Sequence, residues 1–137
     1  MLKLLIIIPA YNEAFNIERV VDNLIANYPQ YDYVIVNDGS SDDTRKICAN
    51  RKYNFLDLPI NVGLAGAIRA GIRYANYHGY DYAVQIDGDG QHEPKYIKDM
   101  LEKMETAQAD IVIGSRFKEK KKPNSMRMLG SRIISGA

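Results

Sequence analysis

The chain opens with an unbroken aliphatic run, Leu4-Leu5-Ile6-Ile7-Ile8, that ends at Pro9. A strand with one wet face alternates apolar and polar side chains. A run with no polar member belongs to a strand covered on both faces, as in a parallel sheet. Such a strand needs helices above and below it, and the chain supplies them by alternation. Ile17, Val20, Val21, Leu24, Ile25 and Tyr28 fall on one helical stripe. Tyr33-Val34-Ile35-Val36 is a second strand, and Asn37-Asp38-Gly39-Ser40-Ser41 ends it. Ser41 is the expected N-cap of a short helix through Ile47 and Cys48, with Asp42 and Asp43 in its first turn. Phe55 to Leu58 is a third strand; Leu64, Ile68, Ile72 and Ala75 trace a third helix, in which Gly71 marks a close backbone approach. Tyr82 to Ile86 runs as a strand into Asp87. Pro94 opens a helix with Ile97, Met100, Leu101 and Met104 on its buried stripe, and Ile111 to Ile113 is a last strand. The predicted fold is α/β: an open, mostly parallel sheet with helices on both faces.

The 137 residues suffice for one core and not two. Cys48 is the only cysteine, so no internal disulfide can form, and a reducing compartment is expected. No apolar run approaches membrane-spanning length, and the opening run lacks a signal-peptide cleavage site. The net charge of +1 hides a division. Residues 116–132 carry seven bases and only Glu119 as an acid, a local charge of +6 that leaves −5 for the rest. Such a run is either a solvated surface or a basic arm facing the phosphate of a ligand or an anionic membrane. Residues 118–124 read as a flexible loop, and the uncapped stop at Ala137 reads as the end of a fragment.

Ligands of open parallel sheets bind beyond the carboxyl ends of the strands. Polar residues gather at those ends here: Pro9 to Glu13, Asn37 to Gly39, and Asp87 to His92. Glu13, Asp38, Asp87 and Asp89 are therefore expected on one rim, where mutual repulsion favours a cation among them. Asp87 and Asp89 project the same way from an extended segment, and Gly88 allows close approach. Their hard oxygens suit Mg²⁺ or Mn²⁺, although Asp and Gly are also the commonest turn residues. An EF-hand fails because its twelfth position is Lys98. The Asp-x-Asp phosphatase pattern also fits poorly, since the pair follows the fourth strand. No Gly-x-Gly-x-x-Gly or Walker loop is present. His92 either touches metal or phosphate or orients its loop, while His78 should be exposed at a helix end. The tyrosines at 74, 77, 80, 82 and 96 read as packing, and Cys48 as a small buried hydrophobe.

Five ordered segments resemble the family-2 glycosyltransferases: Pro9-Ala10-Tyr11-Asn12-Glu13, Val36 to Thr44, Asn61-Val62-Gly63, Asp87-Gly88-Asp89-Gly90-Gln91-His92-Glu93-Pro94, and Gly114-Ser115-Arg116-Phe117. Within the family, the chain is most similar to the polyprenyl- and dolichyl-phosphate hexosyltransferases. The resemblance implies a GT-A fold and inverting transfer of a hexose from a UDP- or GDP-linked donor to a lipid phosphate or glycan. It places Pro9, Tyr11 and Glu13 at the nucleoside, Val36 and Asp38 at the base or ribose, and Asp87 and Gly88 at the ribose and diphosphate. It puts Asp87, Asp89 and Gln91 around a divalent metal, Mg²⁺ or Mn²⁺, and Arg116 and Arg127 at the diphosphate. Asp89 carries the expected catalytic contribution. Asn37-Asp38 and Asp87-Gly88-Asp89 stand where the family often has Asp-Asp and Asp-Ala-Asp, without loss of a required carboxylate.

The resemblance divides the chain into a donor-binding domain, residues 1–117, and a basic loop that begins a C-terminal part, residues 118–137. It implies a cytoplasmic location, including the cytoplasmic face of a membrane that residues 116–132 would contact, and no nucleic-acid partner. Two alternatives differ in class: a module that binds nucleotide sugar without turnover on its own, and a nucleotidyltransferase. The second would need a glycine-rich, arginine-containing opening loop, which is absent.

Overall fold

The computed structural model describes residues 3–88, Ile97 and 111–113. Its elements are β1 (Leu4–Ala10), α1 (Ile17–Asn27), β2 (Asp32–Asp38), α2 (Thr44–Asn50), β3 (Phe55–Leu58), α3 (Gly63–Tyr77), β4 (Tyr82–Gln85) and β5 (Ile111–Ile113). The five strands lie in the order β3-β2-β1-β4-β5, and each pairing is parallel. The helix expected after Pro94 lies outside the described residues apart from the buried Ile97.

The first aliphatic run is the central strand, as a run without polar residues requires. Alternation splits its side chains between two cores. Leu4, Ile6, Ile8 and Ala10 face α1 and α2, with Ile17, Val21, Leu24 and Cys48. Leu5 and Ile7 face α3, with Val34, Val36, Ala67, Ile72 and Ala75. Helices therefore cover both faces, as predicted. Arg51 clasps Glu18 and Asp22 on α1 from the surface, and Tyr53 donates a second bond to Asp22. Exposed ion pairs of this kind contribute little, so apolar packing sets the position of α1. Cys48 is fully buried; burial, then the nearby Asp57 charge, pushes its thiol up to about 11, which suits an inert packing residue.

The strand β1 continues two residues past the predicted stop, through Pro9. Ile86 N–H donates to the Ile7 carbonyl at 3.0 Å, so odd-numbered residues of β1 direct their backbone groups toward β4. The β4 ladder ends at Ile7–Gln85. Pro9 therefore lacks an N–H on the side where the ladder has already stopped, and the sheet loses no bond there.

Gly71 meets the expectation of close approach. A Cβ there would lie 2.5 Å from Ile7 Cγ2, inside a core where Ile7 is 2% exposed. We expect Gly71→Ala to lower stability by about 1–3 kcal/mol through overpacking, despite its better helix propensity. Urea unfolding measures this, and an unchanged midpoint would contradict the tight α3–β1 seam.

Candidate functional site

The chain moves from β1 to β2 to β3 in one direction, with α1 and α2 on one face. It then returns along the other face in α3 and enters β4 on the opposite side of β1. The direction of winding reverses between β1 and β4, and their carboxyl ends part into a crevice. A cavity of about 260 Å³ opens there, lined by Pro9, Ala10, Tyr11, Glu13, Asp38, Asn61, Gly63, Leu64, Ala67, Asp87 and Gly88. This is just below the range of roughly 300–1,000 Å³ usual for small-molecule sites.

Three loops form the rim. Pro9 to Asn16 leaves β1, and two side chains act on Glu13. Asn16 Nδ2 donates to Glu13 Oε1 at 3.0 Å, and Thr44 Oγ1 accepts the Glu13 N–H at 2.9 Å. Beyond β4, Gln85 Nε2 donates to Asp87 Oδ1 at 3.1 Å. Gly88 then passes so near β1 that a Cβ would stand 3.1 Å from the Pro9 carbonyl oxygen and 3.4 Å from Glu13 Cγ.

Asp38 governs the third loop. Its side chain shares the parity of Val34 and Val36, so it rises on the face covered by α3. There Oδ1 accepts the Val62 N–H at 2.7 Å, and Oδ2 accepts Gly63 N–H at 3.0 Å and Asn61 Nδ2 at 3.1 Å. Asp38 is 3% exposed. It caps α3 from another strand, supplying the bond that the residue preceding the helix, Val62, does not. Gly39, at φ +65°, permits this closure: a Cβ would lie 2.3 Å from Asn61 N.

The predicted cap of α2 is corrected by the structure. Ser41 does not cap it; Asp42 Oδ1 accepts the Thr44 N–H at 2.9 Å and its hydroxyl at 2.5 Å. Ser41 is drawn off by Asn12, whose Oδ1 accepts its N–H at 2.8 Å. Burial opposes ionisation of Asp42, but bonds from Thr44 and from Ala14 N–H hold its carboxyl below the usual value of 3.8.

The structure thus brings Pro9, Tyr11, Glu13, Asp38, Asp87 and Gly88 to one cavity. It does not bring the Val36 side chain there; Val36 is fully buried against α3, two residues below the rim. Asp89, Gln91, His92, Arg116 and Arg127, the basic segment 116–132 and the boundary at residue 117 lie outside the described residues. Among the described residues, no three of His, Cys, Asp and Glu are grouped to hold a metal.

Leu64 belongs to the apolar stripe of α3 but stands 59% exposed on the cavity wall. The first turn of α3 projects past the sheet edge, so the stripe that lower down meets strands has only the cavity beneath it. A larger cavity, about 440 Å³, lies at the amino ends of β2 to β4, lined by Ile25, Tyr31, Asp32, Tyr33, Asn54 and Tyr80 among others. Its polar groups bond one another: Tyr80 donates to Asp32, and Tyr33 Oη accepts the Asn54 N–H. Tyr74 and Tyr80 pack against the α3-side core, and Tyr82 against the other.

A family model described as glycosyl transferase family 2 matches residues 5–134. The chain belongs to that family. Among curated relatives it is 35% identical to the undecaprenyl-phosphate mannosyltransferase of Micrococcus luteus, over 84% of this chain and 49% of that protein. It is 34% identical to a UDP-N-acetylglucosamine–dolichyl-phosphate N-acetylglucosaminyltransferase of Methanococcus voltae, over 88% of this chain and 55% of that protein. The chain spans about half the length of these relatives. Residues 1–349 of TarS from S. aureus, solved with UDP-GlcNAc, share the fold at a TM-score of 0.62 and 20% identity, over 80% of this chain and 33% of that one. A mannosyltransferase of Pyrobaculum calidifontis, solved with GDP-Man and Mn²⁺, matches at 0.56 and 25%, over 64% and 27%.

Two predictions follow from Asp38 and Asp42. Asp38→Ala should cost about 1–3 kcal/mol by leaving buried donors unpaired, and should speed amide exchange at Val62 and Gly63. Unchanged exchange at both amides would remove the cap. The contribution of Asp42 should be complete above its unfolded pKa of 3.8 and decline as pH falls through its lower folded value. Acid titration of Asp42→Asn checks this: the variant should lose less stability than the parent across that window.

Proposed function

We propose that this chain is the donor-binding part of a hexosyltransferase that takes a sugar from a UDP- or GDP-linked donor and passes it, with inversion, to a lipid phosphate or glycan. The observation that carries the reading is the charge of the cavity. Glu13, Asp38 and Asp87 line it, and no Lys or Arg does among the described residues. Amides at the nearby helix ends are already engaged by the chain's own acceptors. Asp38 occupies the amino end of α3, and near that of α1 the Ala14 N–H is given to Asp42 and the Asn16 and Ile17 N–H groups to the Glu13 carbonyl. A diphosphate approaching this rim meets carboxylates and no cationic side chain among the described residues. It needs a divalent cation, basic side chains from beyond Gly88, or both.

The donor set fits such an ion. Mg²⁺ and Mn²⁺ favour hard oxygens, and Mg²⁺ is usually held by one or two carboxylates together with phosphates and water, without a full protein cage. Asp87 stands at the end of β4, half-buried and braced by Gln85, and Asp89 and Gln91 follow in the chain. When bound, the cation neutralises charge on the departing nucleoside diphosphate. Asp89 carries the catalytic contribution by holding it, with Arg116 and then Arg127 at the diphosphate. Around the nucleoside, Pro9, Tyr11 and Glu13 form one wall, while Asp38 acts from the rim and Val36 through its backbone. Tyr11 and Leu64 supply apolar surface for a planar base.

Support for a polyprenyl-phosphate acceptor comes from the names of the relatives from Micrococcus luteus and Methanococcus voltae. No helix among the described residues is long and apolar enough to cross a membrane. In our reading, residues 116–132, with their charge of +6, meet an anionic cytoplasmic membrane surface where such an acceptor resides.

Asp89→Ala should abolish the Mn²⁺-dependent part of nucleotide affinity without unfolding the chain. Calorimetry with UDP and GDP, with and without Mn²⁺, tests this, and undiminished metal dependence in the variant would sink the assignment. Thermal shifts across UDP, GDP and dTDP identify the base, since a ligand of the native state raises the midpoint according to its affinity.

A further inference from the structure

We infer that Asn12, which does not itself line the cavity, is the residue that positions Tyr11 and Glu13 at the donor. This inference rests on the nucleotide-binding reading above and adds a residue to which that reading gives no role.

Asn12 lies in the left-handed region at φ +57°. Among residues with a side chain, Asn and Asp tolerate that region best. Its side-chain oxygen is used as a hub. Oδ1 accepts the Ser41 N–H at 2.8 Å, the Asp42 N–H at 3.2 Å and the Ser41 hydroxyl at 3.3 Å. In return, the Asn12 N–H donates to Ser40 Oγ at 2.9 Å. The next two amides repeat the direction, with Glu13 N–H to Thr44 Oγ1 and Ala14 N–H to Asp42 Oδ2. Three consecutive amides of the β1–α1 loop are thus taken by side chains of the β2–α2 loop and of Thr44, the first residue of α2, and Asn12 Oδ1 fastens that loop from the other side.

The seam reaches the sheet. Ser40 Oγ donates to Asn37 Oδ1 at 2.6 Å, and Asn37 Nδ2 donates to Asp57 Oδ1 at 2.8 Å, across the paired ends of β2 and β3. The residues on either side of Asn12 both face the cavity. Tyr11 is 48% exposed, so packing alone does not fix it. The backbone of residue 12 does. Preorganised backbone lowers the ordering cost of binding, which is how a residue outside the pocket acts on affinity.

The test compares three replacements in the 137-residue chain. Asn12→Gly keeps the backbone conformation and removes Oδ1; Asn12→Ala disturbs both; Asn12→Asp keeps an acceptor and tolerates the conformation. The readouts are UDP and GDP affinity with Mn²⁺, amide exchange at Ser41 and Asp42, and the thermal midpoint. Asn12→Gly should weaken nucleotide affinity about tenfold and speed exchange at both amides, because two or three hydrogen bonds are lost. Asn12→Ala should weaken it at least as far, and Asn12→Asp should remain within about threefold of the parent, since its acceptor survives. Ser40→Ala, a milder change, should weaken affinity about threefold by removing one bond, and it carries the test if Asn12→Gly does not fold. Parent-like affinity in Asn12→Gly, or in Ser40→Ala where that variant carries the test, would overturn the role of Asn12. A parent chain that binds neither nucleotide would instead overturn the functional reading, while exchange at Ser41 and Asp42 still reports on the seam.

Discussion

The Asp38 carboxylate is almost fully buried and takes part in no ion pair among the described residues. A charge in that position is costly unless donors surround it. The amino end of α3 provides them, with two backbone N–H groups and the Asn61 amide. Much of the cavity follows from this one arrangement. It draws the segment 60–63 over the end of β2, and it requires glycine at 39, where the chains nearly touch. It sets the first turn of α3 at the rim, so Leu64 and Ala67 become walls. The helix terminus is used internally, which separates this site from dinucleotide folds that offer a helix end to phosphate.

The seam through Asn12 acts in the same manner between the other two loops. Side chains of residues 12, 38, 40, 42, 44 and 61 bond backbone groups 23 to 31 residues away. Three loops that leave β1, β2 and β3 are thereby fixed to one another, and β1 and β2 are themselves buried on both faces. Loops are commonly the mobile part of such a sheet. Here several of their amides are already committed, and these bonds hold the cavity walls in place.

Much of the fold was legible because the signals were local. The five strands are apolar runs, and Gly71 interrupts a stripe where a side chain would strike Ile7. The convergence of Glu13, Asp38 and Asp87 followed from strand ends in a parallel sheet. What escaped depended on partners far along the chain. Ser41 carries an ordinary N-cap signal, but Asn12, 29 residues away, claims its N–H, and Asp42 meets Thr44 instead. Leu64 continues an apolar stripe past the edge of the sheet, and periodicity does not say where a sheet ends. The role of Asp38 had a usable signal, its shared parity with Val34 and Val36, which directs it toward the helix that covers them.

The division of charge along the chain gives the site its remaining logic. Outside residues 116–132 the chain carries −5, and three of its carboxylates line the cavity. An acidic, preformed rim is a poor host for a diphosphate by itself, because both partners are anions. It becomes a good one only when positive charge arrives with the ligand or from another part of the chain. A divalent cation supplies that charge at short range, where carboxylate and phosphate oxygens can share it. The basic residues supply it at longer range, screened over about 8–10 Å at ordinary ionic strength. The two sources are not equivalent. On the proposed function, an ion held between fixed oxygens would act on the departing diphosphate, whereas a basic segment would raise the local concentration of anions. On the proposed function, a site whose own surface repels a diphosphate and which depends on a cation to reverse that sign would couple donor binding to metal occupancy.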